Sequence, residues 1–197
     1  MPRVTEEYRE ARRAEIADAA LRAVRRKGFQ AASMADIIAE SGMSAGAIYG
    51  YFRSKEEIVL EVSSRVLGGR LDDVARLAEQ DPMPPPSTMM RVLTRGMLEE
   101  IGDTAILIQM WGEAVTEPAL RRLAAGVLAQ LRTGYEDYIT LWHQREHGAD
   151  EAAARALAVE QAPLFLSVNQ GFVVQSALLA DFDADAYLDN AARHLPR

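Results

Sequence analysis

Three side chains near position 145 have the spacing of a metal site. His143, Glu146 and His147 read H-x-x-E-H. Imidazoles four residues apart share one helix face, where they can hold a zinc ion while the carboxylate serves as a base. The same run stands just before Gly148, at a helix C-terminus by pattern, where imidazole and guanidinium groups complement the macrodipole without any metal. No second carboxylate motif accompanies it, no G-x-S-x-G elbow is present, and the chain has no cysteine. The missing cysteine removes thiolate ligands, thiol nucleophiles and disulfides together. A zinc-dependent helical hydrolase built on His143, Glu146 and His147 is the alternative reading. The main expectation is a protein that is not an enzyme and uses no cofactor and no metal.

A second group could bind a small molecule. The stretch 103–115 is apolar nearly all round, with Ile106, Leu107, Ile108, Met110, Trp111 and Val115, and its polar exceptions are Gln109 and Glu113. Met97 and Met110 supply adaptable side chains, Tyr135, Tyr138 and Trp142 recur at helical spacing, and Asn169 interrupts an apolar stripe further on. Apolar walls with a few polar groups describe a ligand pocket; the same stripes also describe plain core. The candidate ligand set is Met97, Gln109, Met110, Glu113, Tyr135, Tyr138, Trp142 and Asn169. A pocket carboxylate favours a cationic or amine-bearing ligand, unless Glu113 is paired with an arginine such as Arg95.

The elements that must position these residues are all helical. Ala, Leu, Glu and Arg dominate, and no stretch alternates with period two. Ile16, Ala20 and Val24 mark the buried stripe of a helix over 7–27, stopped by Gly28, with Phe29 folding back onto it. Ser33 with Asp36 opens a short helix ending at Gly42; Ser44 caps another ending near Phe52; Ser54 with Glu57 caps a longer one towards 77–79. The run Asp81-Pro82-Met83-Pro84-Pro85-Pro86 must be a loop. Helices follow at 87–101, 104–115, 118–147, 150–179 (with Pro163 inside it) and 184–194, making about nine in an all-α chain.

Two short capped helices meeting at Gly42 are what a helix-turn-helix requires, with Ile37, Ile38, Met43, Ile48 and Phe52 closing its small core against the first helix. Charge supports a split role. Net charge is −7, but residues 1–55 hold 10 Lys/Arg against 7 Asp/Glu while residues 56–197 hold 12 against 22. Phosphate binding needs local rather than global positive charge. The expected division is a DNA-binding domain over 1–53 and a separate helical domain over 54–197.

The stretch from Arg13 to Glu61 resembles the DNA-binding region of tetracycline-repressor (TetR) family regulators. The carrying residues are Gly28-Phe29, Ser33-Met34-Ala35-Asp36-Ile37-Ile38-Ala39, Gly42-Met43-Ser44, Ala47-Ile48-Tyr49-Gly50-Tyr51-Phe52 and Ser54-Lys55-Glu56-Glu57. The resemblance implies that Tyr49, Tyr51 and Lys55 anchor DNA phosphates, with Ser33 and Ser44 adding hydroxyl and helix N-terminal contacts. Ala45, Gly46, Ala47 and Gly50 carry no hydrogen-bonding side chains, so base readout by bidentate pairs is nearly absent and Ala45, Gly46 and Ala47 approach DNA through backbone and methyl groups. Arg3, Arg9, Arg12 and Arg13 could add an N-terminal arm. The resemblance further implies a homodimer on a palindromic operator, most simply a repressor released by a small-molecule effector, with the helix over 54–79 carrying the signal. Phe165, Val168, Phe172, Leu178 and Leu179 are the candidate dimer interface, with Gly171 permitting close helix approach. A helical adaptor that binds no DNA is the third class. No signal peptide or membrane-spanning run is legible, so a soluble, cytoplasmic protein without a membrane partner is expected.

Overall fold

The computed structural model describes residues 5–196. Among the described residues there are nine α-helices and no strand. They are α1 (Glu6–Lys27), α2 (Met34–Ser41), α3 (Ala45–Tyr49), α4 (Lys55–Ala78), α5 (Pro86–Ile101), α6 (Ala105–Thr116), α7 (Pro118–His147), α8 (Glu151–Leu178) and α9 (Ala184–His194). None of them is long and apolar enough to cross a membrane. The chain divides into two compact units, one of residues up to Arg65 together with Gln109–Leu123, the other of Val66–Ile108 and Ala124–Arg197. This differs from a single cut after residue 53: the first unit keeps the start of α4 and takes in most of α6.

In the first unit, α1 has Glu6 and Glu7 in its first turn and Arg25, Arg26 and Lys27 in its last, the charge order that suits its macrodipole. Its inner stripe of Ile16, Ala17, Ala20, Ala23 and Val24 is buried. Three of these five are alanines, which lets α2 lie close. Ile37 from α2, Ile48 from α3, Phe52 and Ile58 complete a core in which each is at most 1% exposed. Phe29 is 2% exposed at the turn after α1. Ion pairs sit around the edge of this core: Arg22 and Arg26 on Glu40, Lys27 on Asp36, Arg13 on Glu61 and Arg65 on Asp18. Exposed pairs of this kind contribute little individually; they fix orientation more than stability.

The second unit packs α5, α8 and α9 against one another and buries Met89, Met90, Tyr135, Ile139, Trp142, Phe165, Phe172 and Leu188. The proline loop is fastened to it by α7. Tyr138 donates its hydroxyl hydrogen to the Pro84 carbonyl (2.8 Å), Trp142 Nε1 donates to the Met83 carbonyl (3.2 Å), and Glu146 accepts the Met83 amide (2.9 Å). α8 is continuous through Pro163. Gly171 does permit a close approach, but to α9 of the same chain: a Cβ there would stand 2.7 Å from the Tyr187 hydroxyl, which itself donates to the Val168 carbonyl at 2.9 Å.

Candidate nucleic-acid interface

The helix-turn-helix is α2–turn–α3. Ser33 N-caps α2 and accepts the Asp36 amide, while the Asp36 carboxylate accepts the Ser33 backbone N–H at 3.0 Å, closing a full capping box. Lys27 and the Ser33 groups hold the Asp36 carboxyl well below the usual carboxylate range. Gly42 takes a left-handed conformation at φ +67°, which its missing Cβ allows at the corner. Ser44 then caps α3 by accepting the Ala47 amide at 3.2 Å. α3 ends at Tyr49 rather than at Phe52; residues 50–52 turn back through bonds from Tyr51 and Phe52 amides to the Ile48 carbonyl, because Phe52 must enter the core.

On this frame Ser33, Ser44, Ala45, Gly46, Ala47 and Tyr49 are exposed, Tyr49 by 51%, and Tyr51 is half-buried. Ile48 points inward at 0%. The exposed face of α3 is therefore small and apolar with one phenol beside it. The basic side chains divide unexpectedly. Lys55 does not present a free ammonium: its Nζ donates to the carbonyls of Phe29 (2.8 Å) and Ala32 (3.3 Å) and stands 4.4 Å from the Phe29 ring centre. Arg53, two residues earlier, is exposed, and its guanidinium has no hydrogen bond or ion pair among the described residues. Arg53 is not among the sequence-derived candidates; its signal is a cation between Phe52, which is buried, and Ser54, whose hydroxyl accepts the Glu57 amide. Of the N-terminal arginines, Arg12 is held by Glu15 and Tyr8 and Arg13 by Glu61 and the ring of Phe52, while Arg9 is exposed. Arg3 lies outside the described residues.

The candidate ligand residues fall in both units. Gln109, Met110 and Glu113 belong to the first, Met97, Tyr135, Tyr138, Trp142 and Asn169 to the second. Gln109 is engaged with the backbone: its Oε1 accepts the Phe29 amide at 2.6 Å. Glu113 Oε1 is buried and has no hydrogen-bond partner among the described residues. Arg95 pairs with Asp185 at 2.8 Å, so it does not neutralise Glu113. In the second unit Tyr135 is fully buried, stacked on Phe165 at 5.3 Å. Asn169 Nδ2 donates to its hydroxyl (2.8 Å), and Thr94 donates to Asn169 Oδ1 (2.9 Å). Burial pushes the Tyr135 phenol far above its ordinary value, and Tyr138 up to about 12. These aromatics are core whose polar tips are already used.

Of the expected dimer residues, Phe165 and Phe172 are 0% exposed and lie inside their own chain's core, Val168 packs beside them, and Leu178 and Leu179 are exposed by 70% and 49%. Leu157, Leu164 and Val174 are also exposed. With Leu178 they fall on one side of α8, an apolar stripe at helical spacing.

The H-x-x-E-H residues have structural tasks. His143 is 6% exposed with Nε2 at 3.3 Å from Gln161 Oε1, Glu146 holds the proline loop, and both imidazoles pack on Trp142. No group of three or more His, Asp or Glu among the described residues is placed to hold a metal ion.

Residues 16–62 match the family model for bacterial regulatory proteins of the tetR family. The chain is 37% identical over 109 residues to the uncharacterized HTH-type transcriptional regulator YfiR of Bacillus subtilis, covering 55% of this chain and 53% of that one. It thus spans about half the length of that relative. It is 31% identical over 196 residues to the HTH-type transcriptional regulator BetI of Pseudomonas paraeruginosa, covering 93% of this chain and 91% of the relative. A TetR-family transcriptional regulator from Syntrophomonas wolfei superposes with a TM-score of 0.75 at 17% identity over 93% of this chain and 92% of that one, a likeness of fold.

Proposed function

The chain belongs to the TetR family of bacterial regulatory proteins, and from that premise we propose that it is a DNA-binding transcriptional regulator, a homodimeric repressor released by a small-molecule effector. The observation that carries the DNA reading is the exposed face of α3: Ala45, Gly46 and Ala47 present backbone and methyl groups where longer side chains would hold the helix away from the bases, and Tyr49 stands beside them. Side chains without donors or acceptors approach base edges closely and read thymine methyls and groove shape. Tyr49, Tyr51, Ser33 and Ser44 supply hydroxyls to phosphates, and Arg53 supplies a cation unpaired among the described residues. Lys55 works from behind, on the turn that precedes α2.

The exposed stripe of α8, with Leu178 and Leu179 at its end, is the self-complementary surface of the dimer. A two-fold pair sets two α3 helices on successive turns of a palindromic site. Glu113 supports a cationic or amine-bearing effector: a buried carboxylate oxygen without a partner is costly and is relieved by an ammonium group.

The test is selection of duplexes from a random pool by the purified protein, followed by mobility-shift titration. Enrichment of a palindrome, weakened binding by Tyr49→Phe and intact folding are expected. A pool that stays unenriched at micromolar protein refutes the DNA reading. Small ammonium compounds titrated against Trp111 and Trp142 fluorescence test the effector class; a response that survives Glu113→Gln unchanged refutes it.

A further inference from the structure

One residue of the DNA-binding head, Phe29, is gripped at both its main-chain N–H and its main-chain carbonyl by side chains distant in sequence. The Phe29 amide donates to Gln109 Oε1 of α6 at 2.6 Å, and the Phe29 carbonyl accepts Lys55 Nζ at 2.8 Å from the start of α4. All three residues lie in the first unit. The orientation of the Gln109 amide is fixed by chemistry, since an N–H donor demands the oxygen. The approach is built into the backbone as well. Gly28 sits at φ +83°, and a Cβ there would stand 3.0 Å from Gln109 Oε1, so a side chain at 28 would crowd the glutamine. Phe29 itself is 2% exposed. The same lysine also holds the Ala32 carbonyl, one residue before the Ser33 cap of α2. The whole connection from the end of α1 to the start of α2 is therefore tied to α6 on one side and α4 on the other.

We propose that Gln109 is a positioning residue for DNA recognition: through the Phe29 amide it fixes the α1–α2 turn, and with it the placement of α2 and α3, from α6. This rests on the DNA-binding reading above. It gives Gln109 a task other than lining an effector pocket, and it gives α6 a direct hold on the head besides that of α4. A neutral amide that touches backbone carries no phosphate charge, so its loss changes affinity without changing the salt dependence. Linkage is reciprocal: if the grip favours the operator-bound head, operator binding must tighten the grip.

The experiment compares wild type, Gln109→Ala and Gln109→Glu, the last retaining an acceptor. Amide hydrogen exchange at Phe29 is followed with and without a duplex selected by the wild type, alongside operator affinity at two salt concentrations and thermal unfolding. Gln109→Ala is expected to speed Phe29 exchange and weaken operator binding about 2- to 12-fold, the span of one hydrogen bond. Its salt slope stays that of the wild type, and its Phe29 amide gains less protection from DNA. Gln109→Glu is expected to behave close to wild type. Operator affinity unchanged in Gln109→Ala, with Phe29 exchange accelerated, overturns the proposal and leaves a local structural bond. Unchanged Phe29 exchange removes the bond itself. A wild-type protein that selects no duplex defeats the DNA reading, and this inference falls with it; that result differs from a wild type that binds and a Gln109→Ala variant that binds equally well.

Discussion

Lys55→Met and Arg53→Gln should separate two tasks that both weaken operator binding when lost. Each phosphate contact contributes a slope of about 0.9 to the dependence of log affinity on log salt. One Arg53 contact per protomer of a dimer therefore contributes about 1.8. Between 50 and 200 mM salt, a fourfold range, that slope corresponds to about a 12-fold change in affinity. Arg53→Gln should bind much more weakly than wild type at low salt and recover about 12-fold of the gap over this range, with its melting temperature unchanged because the guanidinium has no partner among the described residues. Lys55→Met should do the reverse. Its ammonium holds two carbonyls, at 2.8 and 3.3 Å, and charge-assisted bonds at a part-buried site contribute about 1–2 kcal/mol. In a chain of this size that lowers the melting point by about 2–8 °C. Fluorescence anisotropy at four salt concentrations and a thermal melt suffice. A reduced salt slope for Lys55→Met with an unchanged melting point, and an unchanged slope for Arg53→Gln, would refute the assignment of the two cations.

Four further outcomes follow from single contacts. Gly28→Ala places a Cβ at φ +83° and 3.0 Å from Gln109 Oε1; it should cost about 1–3 kcal/mol in thermal or urea unfolding, and a neutral result would contradict the strain argument. Tyr135→Phe takes the acceptor from the Asn169 amide in a fully buried site and should cost about 1–3 kcal/mol by the same measurement. The Asp36 carboxyl is depressed by Lys27 and Ser33, so its contribution is full above the unfolded value of about 4 and is lost as pH falls below it. Asp36→Asn should therefore melt lower than wild type at pH 7, and the difference should begin to narrow only as pH falls below about 4. Leu164→Asp puts a charge on the exposed stripe of α8 and should shift sedimentation from dimer to monomer while the far-ultraviolet spectrum stays helical.

The order and limits of the helices are legible because their punctuation is chemical. Ser33, Ser44 and Asp150 cap, Gly28 and Gly42 turn with positive φ, and the proline run stops α4. Each signal acts within a few residues, which is the range over which sequence is read. What the sequence hides is which side chain meets which across long separations. Gln109 is 80 residues from Phe29, and nothing local distinguishes a glutamine that holds a backbone amide from one that lines a pocket. Tyr135, Tyr138 and Trp142 have the spacing of pocket walls, but two of them point their polar atoms at the proline loop, 54 and 59 residues away. Phe165 and Phe172 illustrate the same limit on α8. A helix with apolar residues on two sides buries one and leaves the other exposed, and size misleads, since the aromatics go inward and Leu157, Leu164, Val174 and Leu178 stay out.

Lys55 shows how one residue can satisfy a family pattern for more than one physical reason. A lysine just after a helix-turn-helix has a stem long enough to reach towards phosphates when the second helix docks in a groove. Here the reach is directed to Phe29 and Ala32, and the exposed cation beside it in sequence is Arg53. The head then depends on fixed geometry more than on charge. With Ala45, Gly46 and Ala47 on the exposed face of the helix proposed to meet DNA, little side-chain freedom remains to compensate for a misplaced helix, because short side chains make their contacts only when the backbone is already close. Such a helix demands a rigid mount. The capping box at Ser33, the left-handed corner at Gly42 and the two-sided grip on Phe29 supply that mount, and they explain why polar side chains that could have read DNA or ligand are spent on backbone atoms instead.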